Sequence, residues 1–138
     1  MEPTELRKGN CILNKDNEPD IVGGIWYELS DNIDEWDYYI QCGLNHLDYP
    51  ISDIKPIPLT DEWLKNFGFE KREKYVGHGI NDLLYEWSLN GYTFSEDVYG
   101  KWFLCGYNWN TERMSYVHQL QNIYFALSGE ELSLLITR

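Results

Sequence analysis

Polar and apolar side chains alternate on both sides of Asn90-Gly91, a pattern that is typical of a β-hairpin. In residues 83–89, and again in residues 92–95, every second side chain is apolar or aromatic. Asn-Gly between two such runs favours a two-residue type I′ turn, because both central residues need a positive φ. This turn would place Trp87 directly opposite Phe94, so the sequence predicts a hairpin stabilised by an aromatic cross-strand pair.

Further strands are predicted where β-forming residues cluster between polar turns. These segments are Leu6 to Leu13, Ile21 to Leu29, Trp36 to Cys42, Lys101 to Tyr107 and Leu132 to Ile136. Residues 14–20 are predicted as a loop and residues 30–34 as a turn. Pro56 and Pro58 exclude a central strand over residues 53–59, since proline lacks the ladder donor, and predict an extended connector instead.

Two helices are predicted. Thr60 suits the N-cap position of a short helix, and Gly68 suits the position just beyond its end. A longer helix is predicted from Tyr116 to Ser128, because apolar residues recur there at helical spacing, and Gly129 would end it in the left-handed conformation.

These elements predict an α+β fold. We expect a curved antiparallel sheet of meanders and hairpins, covered by the C-terminal helix, with the short helix near residues 60–68. The length matches a single domain over residues 1–138, and no linker or internal repeat interrupts the chain.

The net negative charge limits the classes of partner that the protein can bind. The net charge is −12, and residues 16–53 contain ten acidic residues and no Lys or Arg. Direct nucleic-acid binding needs Lys and Arg to displace counterions from phosphates, so this excess of acidic residues argues against direct nucleic-acid binding. It argues equally against an anionic membrane surface, and no apolar run is long enough to span a membrane.

The cysteine pattern predicts reduced thiols. The chain has three cysteines, Cys11, Cys42 and Cys105, spaced far apart and each within an apolar stretch. Without a signal peptide, this pattern favours buried, reduced thiols in a cytoplasmic protein.

No motif with a known catalytic mechanism is present, so we expect a protein that is not an enzyme and uses no cofactor or metal. The loop residues Asp16, Glu18 and Asp20 lack the glycine and glutamate that a calcium loop needs. His118 is interpreted as a hydrogen-bonded histidine on the flank of the last helix. The alternative is an enzyme in which His118, or His78 in its Gly-His-Gly loop, acts with a nearby acid; His46 lies far from both in sequence.

Both ends of the chain resemble segments of a group of small uncharacterised bacterial and phage proteins. The matching segments are Glu5-Leu6-Arg7-Lys8-Gly9-Asn10 and Tyr116-Val117-His118-Gln119-Leu120-Gln121-Asn122-Ile123-Tyr124-Phe125-Ala126-Leu127-Ser128-Gly129-Glu130-Glu131-Leu132. Residues 53–60, with Trp63-Leu64, are similar to a landmark in the middle of those proteins. The resemblance covers about a third of the chain. It implies a shared fold and a phage or mobile-element setting, and it brings no catalytic residue.

The amides of the C-terminal motif have a physical interpretation that needs no catalysis. Gln119, Gln121 and Asn122 are polar but uncharged, and such side chains can satisfy buried backbone groups. The alternative is that these amides contact a partner. We favour the interpretation that they satisfy buried backbone groups.

Acidic and aromatic residues mix most densely around residues 26–38, which we designate the candidate partner surface. Its members are Trp26, Tyr27, Asp31, Asp34, Glu35, Trp36, Asp37 and Tyr38. Negative charge can oppose a Lys/Arg-lined channel, and Trp and Tyr anchor interfaces. The hypothesis is an acidic inhibitor, of the anti-CRISPR type, that binds the basic surface of a host nucleic-acid-handling protein. The alternatives are an interaction or structural protein without inhibitory role, and rings that belong to the core.

Overall fold

A computed structural model describes residues 1–29, 36–43, 47–75, 83–97, 99–105 and 113–134. The strands are β1 (Cys11–Leu13), β2 (Pro19–Leu29), β3 (Trp36–Cys42), β4 (Leu47–Pro50), β5 (Glu70–Tyr75), β6 (Leu83–Leu89), β7 (Tyr92–Glu96) and β8 (Trp102–Leu104). The α-helices are α1 (Asp61–Asn66) and α2 (Val117–Ser128), and short 3₁₀ helices cover Pro3–Glu5 and Ile51–Asp53. None of the helices in these ranges is both long and apolar enough to cross a membrane.

The α+β class is confirmed, with antiparallel strands, a C-terminal helix and a short helix near residue 60. The strands form two sheets, in the orders β1-β2-β3-β4 and β5-β6-β7-β8, and every neighbouring pair is antiparallel. The chain divides into two compact units, residues 1–58 with 116–123 and residues 59–115 with 124–138, so that α2 contributes to both. A single domain over residues 1–138 stays a prediction.

The first unit has its core on one side of β1–β4. Buried side chains form this core: Leu6, Ile12, Val22, Ile40, Cys42 and Ile54, with Tyr49 and Ile51 packed against them. Each fully buried aliphatic side chain contributes about 1.5–3 kcal/mol through loss of apolar surface from water. Where β2 and β3 pair, the register shifts between Val22 and Gly24, and a Cβ on Gly23 would lie 3.3 Å from the Cα of Gly43. The two glycines therefore permit a close approach of the strands.

The β6–β7 hairpin of the second unit has the predicted turn and register. Asn90 has a φ of 51° and Gly91 a φ of 86°, as a type I′ turn requires. Trp87 lies opposite Phe94, which confirms the predicted pair. Phe94 is fully buried and makes an edge-on contact with Phe69, with ring centroids 5.7 Å apart.

Side-chain amides of α2 form hydrogen bonds with the N-terminal segment within the first unit. The backbone amide of Cys11 donates to Oε1 of Gln121 at 2.8 Å, and Nε2 of Gln121 donates to the carbonyl of Gly9 at 3.1 Å. Asn122 donates to the carbonyl of Glu5 at 2.8 Å and accepts from Nε of Arg7 at 3.0 Å. The interpretation that these amides satisfy buried backbone groups is confirmed for Gln121, whereas the backbone carbonyl that Asn122 bonds is exposed.

The helix ends also agree with the sequence. Thr60 occupies the N-cap of α1 in an extended conformation, although its side chain makes no capping hydrogen bond. Gly68 and Gly129 follow the two helices with φ of 94° and 75°, the left-handed conformation expected of each.

Several predicted strands were too long, and two strands were not predicted. The first is only β1, because Gly9 has a φ of 95° and the amide of Asn10 donates to the carbonyl of Arg7, which makes a turn. The strand predicted to begin at Lys101 is shorter and consists only of β8, and residues 132–134 are not in a strand. The predicted turn at 30–34, together with residues 106–107 and 135–136, lies outside the described residues. β4 is short and β5 is mostly charged, so neither shows a strand pattern.

The cysteines are free thiols. Cys11 and Cys42 are buried, as predicted, whereas Cys105 is half-buried. Burial raises the pKa of Cys11, and likewise of Cys42, to about 11. Because the thiolate is the reactive form, these two thiols are poor nucleophiles near neutral pH.

Candidate functional site

The β2–β3 hairpin presents one face away from the core of the first unit. Residues directly opposite each other on paired strands share a face, and the register pairs Trp26 with Tyr39 and Glu28 with Asp37. Ile40 lies one position further along β3, points to the other face and is fully buried. We call Trp26, Glu28, Asp37 and Tyr39 the acidic aromatic face.

The aromatic half of this face is a stacked pair. The rings of Trp26 and Tyr39 lie 4.3 Å apart between centroids, with planes 13° apart. Such a pair contributes about 0.5–1.5 kcal/mol beyond the area it buries, so it holds the two rings in a fixed orientation. Trp26 is nevertheless 39% exposed, which leaves a rigid aromatic surface open to solvent.

The acidic half consists of two carboxylates that repel each other. Glu28 and Asp37 lie directly opposite on the hairpin, both exposed, and like charges in this position destabilise a sheet. The hydroxyl of Tyr39 donates to Glu28; this hydrogen bond, then desolvation and the charges of Glu28 and Asp37, raise the pKa of Tyr39. Asp48 of β4 pairs with Gln41 two positions beyond Tyr39, so it extends negative charge along the same face.

The register of β2 against β3 divides the candidate partner surface between the two faces of the sheet. Trp26 and Asp37 lie on the acidic aromatic face, whereas Tyr27 and Tyr38 pair with each other on the opposite face, with ring centroids 5.8 Å apart. Tyr27 is 61% exposed and Tyr38 is half-buried. The backbone of Trp36 pairs with Leu29. Asp31, Asp34 and Glu35 lie outside the described residues.

Glu28 was not predicted as a member of the site. Tyr39 belongs to the aromatic residues of the acidic segment over residues 16–53, but the candidate partner surface did not include it. The sequence does place both in predicted strands, and strict alternation on each strand separates odd from even positions. What the sequence lacks is the register, since the length and geometry of the turn between the strands decide which positions face each other.

An open cavity of about 570 Å³ adjoins the acidic aromatic face. Asp37, Tyr38 and Tyr39 line it from β3, and residues 50–52 and 1–3 complete the lining. β4 pairs with β3 only as far as Tyr39, opposite Pro50, so the cavity lies where that pairing ends. Its volume lies within the range of small-molecule binding sites.

His118 is a buried side chain without a hydrogen bond. It is 1% exposed, and neither ring nitrogen finds a partner in the part of the chain that is described. The prediction of a hydrogen-bonded histidine on the helix flank is therefore wrong, because the ring turns inward and stacks on Tyr116 with planes 10° apart. No described carboxylate hydrogen-bonds either nitrogen of His118, although the charge of Glu5 acts on the ring. His46 and His78 lie outside the described residues.

Replacing His118 with leucine is expected to stabilise the protein by about 1–2 kcal/mol at neutral pH, because it removes unsatisfied buried polar atoms. Burial lowers the pKa of His118 below its usual 6.5; the charge of Glu5 opposes this and the amino terminus reinforces it. The unfolded chain therefore binds the proton more readily, and wild-type stability falls as the pH drops from 6.5 towards the lowered native pKa.

Urea denaturation at neutral and at mildly acidic pH measures both effects. The leucine variant should lose less stability on acidification than the wild type. His118→Gln serves as the control, because it keeps a polar group without a titrating ring. A leucine variant that is less stable than the wild type at neutral pH would contradict the expected burial cost.

The acidic residues of segment 14–20 are explained by hydrogen bonds within the segment. The loop is shorter than predicted, because Pro19 and Asp20 pair with Leu13 and Ile12 and begin β2. Asp20 is buried and accepts from Nδ2 of Asn14 at 3.2 Å, while Oδ1 of Asn14 accepts from the amides of Asp16 and Glu18. Among the described residues, no group of His, Cys, Asp and Glu is arranged to hold a metal ion. Asp16 and Glu18 remain exposed on the loop.

No family model, no curated protein and no solved structure matches this chain.

Proposed function

We propose that this chain is a non-enzymatic protein-binding accessory protein of a phage or mobile element. It acts in the host cytoplasm as an acidic inhibitor of a nucleic-acid-handling protein, of which a CRISPR effector is one class. The phage setting rests on the resemblance of the two terminal segments, and the chemistry of binding rests on the acidic aromatic face.

The observation that carries the proposal is the juxtaposition of Glu28 and Asp37 beside an exposed aromatic stack. Like charges directly opposite each other destabilise a pair of strands, so this arrangement lowers the stability of the isolated chain. A Lys or Arg side chain of a partner would relieve this repulsion. Its aliphatic or guanidinium part would also pack on the stacked rings of Trp26 and Tyr39.

The distribution of charge favours a basic partner over a neutral one. Residues 16–53 contain no Lys or Arg, and the flanking Lys55 already donates to Oδ1 of Asn17. A protein of net charge −12 with this acidic segment attracts positively charged surfaces and accelerates their encounter. The same charge disfavours direct contact with nucleic acid or with an anionic membrane.

Capture from a lysate of the bacterial host, followed by mass spectrometry and inhibition assays, tests the proposal. The immobilised chain should retain a basic nucleic-acid-binding protein, release it when salt rises from about 50 to about 500 mM, and inhibit its binding to nucleic acid. Asp37→Lys and Trp26→Ala should each weaken capture about tenfold or more, since a charge reversal and the loss of a ring anchor both act at the centre of the contact.

Stability measurements separate a binding role from a structural one. Asp37→Lys should raise the free energy of unfolding by about 0.5 kcal/mol, because it replaces the repulsion with Glu28 by an attraction. Glu62→Gln, an exposed acid on α1, and Tyr99→Ala, an exposed ring, both lie in the second unit and are matched controls that should leave capture unchanged. Recovery of neutral partners only, or capture indifferent to salt and to Asp37→Lys, would refute the proposal.

A further inference from the structure

The open cavity beside β3 has walls that are held in place by contacts within the first unit. Its β3 wall includes Tyr39, whose ring stacks on Trp26. A second wall belongs to the 3₁₀ helix Ile51–Asp53, whose first residue packs against the core. The third wall is the start of the N-terminal segment, which α2 holds through a hydrogen bond from Asn122 to the carbonyl of Glu5. A ligand would therefore have to order little of the cavity, and a preorganised site favours affinity.

Two carboxylates make this cavity negatively charged. Asp37 and Glu2 border it from different walls, and both residues are exposed. The carboxylate of Asp37 makes no hydrogen bond or ion pair in the parts of the chain that are described. Among the described residues that line the cavity, the two acids outnumber the amino group of Met1, and none is Lys, Arg or His. Charge complementarity therefore favours a cationic ligand.

Apolar surface lies beside these carboxylates and favours one kind of cation. Pro3, Pro50 and Ile51 also line the cavity. A guanidinium group is planar and weakly hydrated, and it donates to carboxylates through a fixed fork, whereas an ammonium group is a strongly hydrated point charge. Guanidinium therefore enters a partly apolar cavity at a lower desolvation cost than ammonium. The volume of about 570 Å³ is within the range of sites for small organic ligands, so it accommodates an arginine side chain.

We propose that this cavity binds an arginine side chain of the partner, with the guanidinium group between Glu2 and Asp37. Asp37 belongs both to the cavity and to the acidic aromatic face, so this arginine anchors the partner at the border of that face. Either Lys or Arg satisfies the open face, whereas the cavity selects arginine. This inference rests on the proposed function and specifies a residue type that the partner presents.

Titration of the full chain with N-acetyl-arginine amide, followed by nuclear magnetic resonance at low salt, tests the cavity directly. The backbone amides of residues 37–39 and 51–52 should shift, with a dissociation constant on the order of millimolar for so small a ligand. N-acetyl-citrulline amide, a neutral molecule of nearly the same shape, should bind at least about tenfold more weakly, because it lacks the charge. N-acetyl-lysine amide should bind at least about threefold more weakly than the arginine amide, because its ammonium group stays hydrated.

Variants of single residues locate the bound guanidinium. Glu2→Gln and Asp37→Asn should each weaken arginine binding about fivefold or more, since each removes a charge and keeps the shape of the side chain. Glu28→Gln is the matched control on the acidic aromatic face, outside the cavity lining, and should change binding less than about twofold. Ser52→Trp should fill the cavity and abolish binding, whereas Ser133→Trp, at an exposed serine in the second unit, should leave binding unchanged.

Lysate capture with the same variants separates this inference from the proposed function. Ser52→Trp should weaken capture of the basic partner about tenfold or more, because it removes an anchoring pocket. Capture that depends on Asp37 but is unchanged by Ser52→Trp and Glu2→Gln would overturn the cavity as the anchor and leave the inhibitor proposal standing. Equal binding of the arginine and citrulline amides would also overturn it. Arginine binding that needs Glu2 and Asp37, with no basic partner captured, would support the chemistry of the cavity and refute the inhibitor.

Discussion

Gln121→Leu is expected to destabilise the protein by about 2–4 kcal/mol, although leucine has a similar volume and sits at a fully buried position. The amide of Gln121 bonds the backbone amide of Cys11 and the carbonyl of Gly9, two groups that lie more than a hundred residues away in sequence. Leucine leaves both backbone groups without these bonds, and a buried unsatisfied group costs more than the hydrogen bond itself contributes. Urea denaturation, followed by fluorescence and circular dichroism, measures the loss.

Gln119→Leu is the matched control on the same helix. Gln119 is half-buried, and its Oε1 accepts from the exposed backbone amide of Tyr116, as in half of a capping box. Its replacement should cost less than about 1 kcal/mol, because water can take the place of that bond. Equal losses for the two variants would contradict a specific role for the buried amide of Gln121.

The same network joins the N-terminal segment to α2 by side-chain hydrogen bonds. Arg7 and Asn10 of the first segment both donate to Oδ1 of Asn122 in the second, at 3.0 and 2.9 Å. A change in one segment therefore removes a partner from the other.

Local signals were sufficient for the elements whose conformation is set by neighbouring residues. Asn90-Gly91 needs positive φ at both positions, and this need fixed the β6–β7 hairpin and its register. Gly68 and Gly129, which adopt the left-handed conformation, likewise determined where the two helices end. Such features require no knowledge of the rest of the molecule.

Elements that depend on distant partners could not be predicted. β5 has the sequence Glu-Lys-Arg-Glu-Lys-Tyr, which shows no alternation, and pairing with β6 alone makes it a strand. The inward turn of the His118 ring, and its missing hydrogen bonds, likewise depend on what surrounds the helix. For the candidate site, the composition identified the region, whereas the face shared by Trp26, Glu28, Asp37 and Tyr39 required the register of β2 against β3.

Phe94→Ala and Ile40→Ala are expected to lower the free energy of unfolding by about 3–5 and about 2–5 kcal/mol respectively. Both substitutions should affect one shared unfolding transition. Phe94 is fully buried in the second unit and Ile40 in the first. Cavities at either site should destabilise the whole chain, because α2 supplies buried Leu120 to one unit and buried Tyr124 to the other. A helix of twelve residues is marginal on its own, so losing the packing of either half should unravel the other.

Calorimetry of both variants tests this prediction of a single domain over residues 1–138. The wild type should show one transition whose calorimetric and van't Hoff enthalpies agree, and each variant should shift it without splitting it. Tyr99→Ala, an exposed ring in the second unit, should leave the transition within about 0.5 kcal/mol of the wild type. Two resolved transitions, with Phe94→Ala moving one and Ile40→Ala the other, would show instead that the units fold independently and that α2 does not couple them.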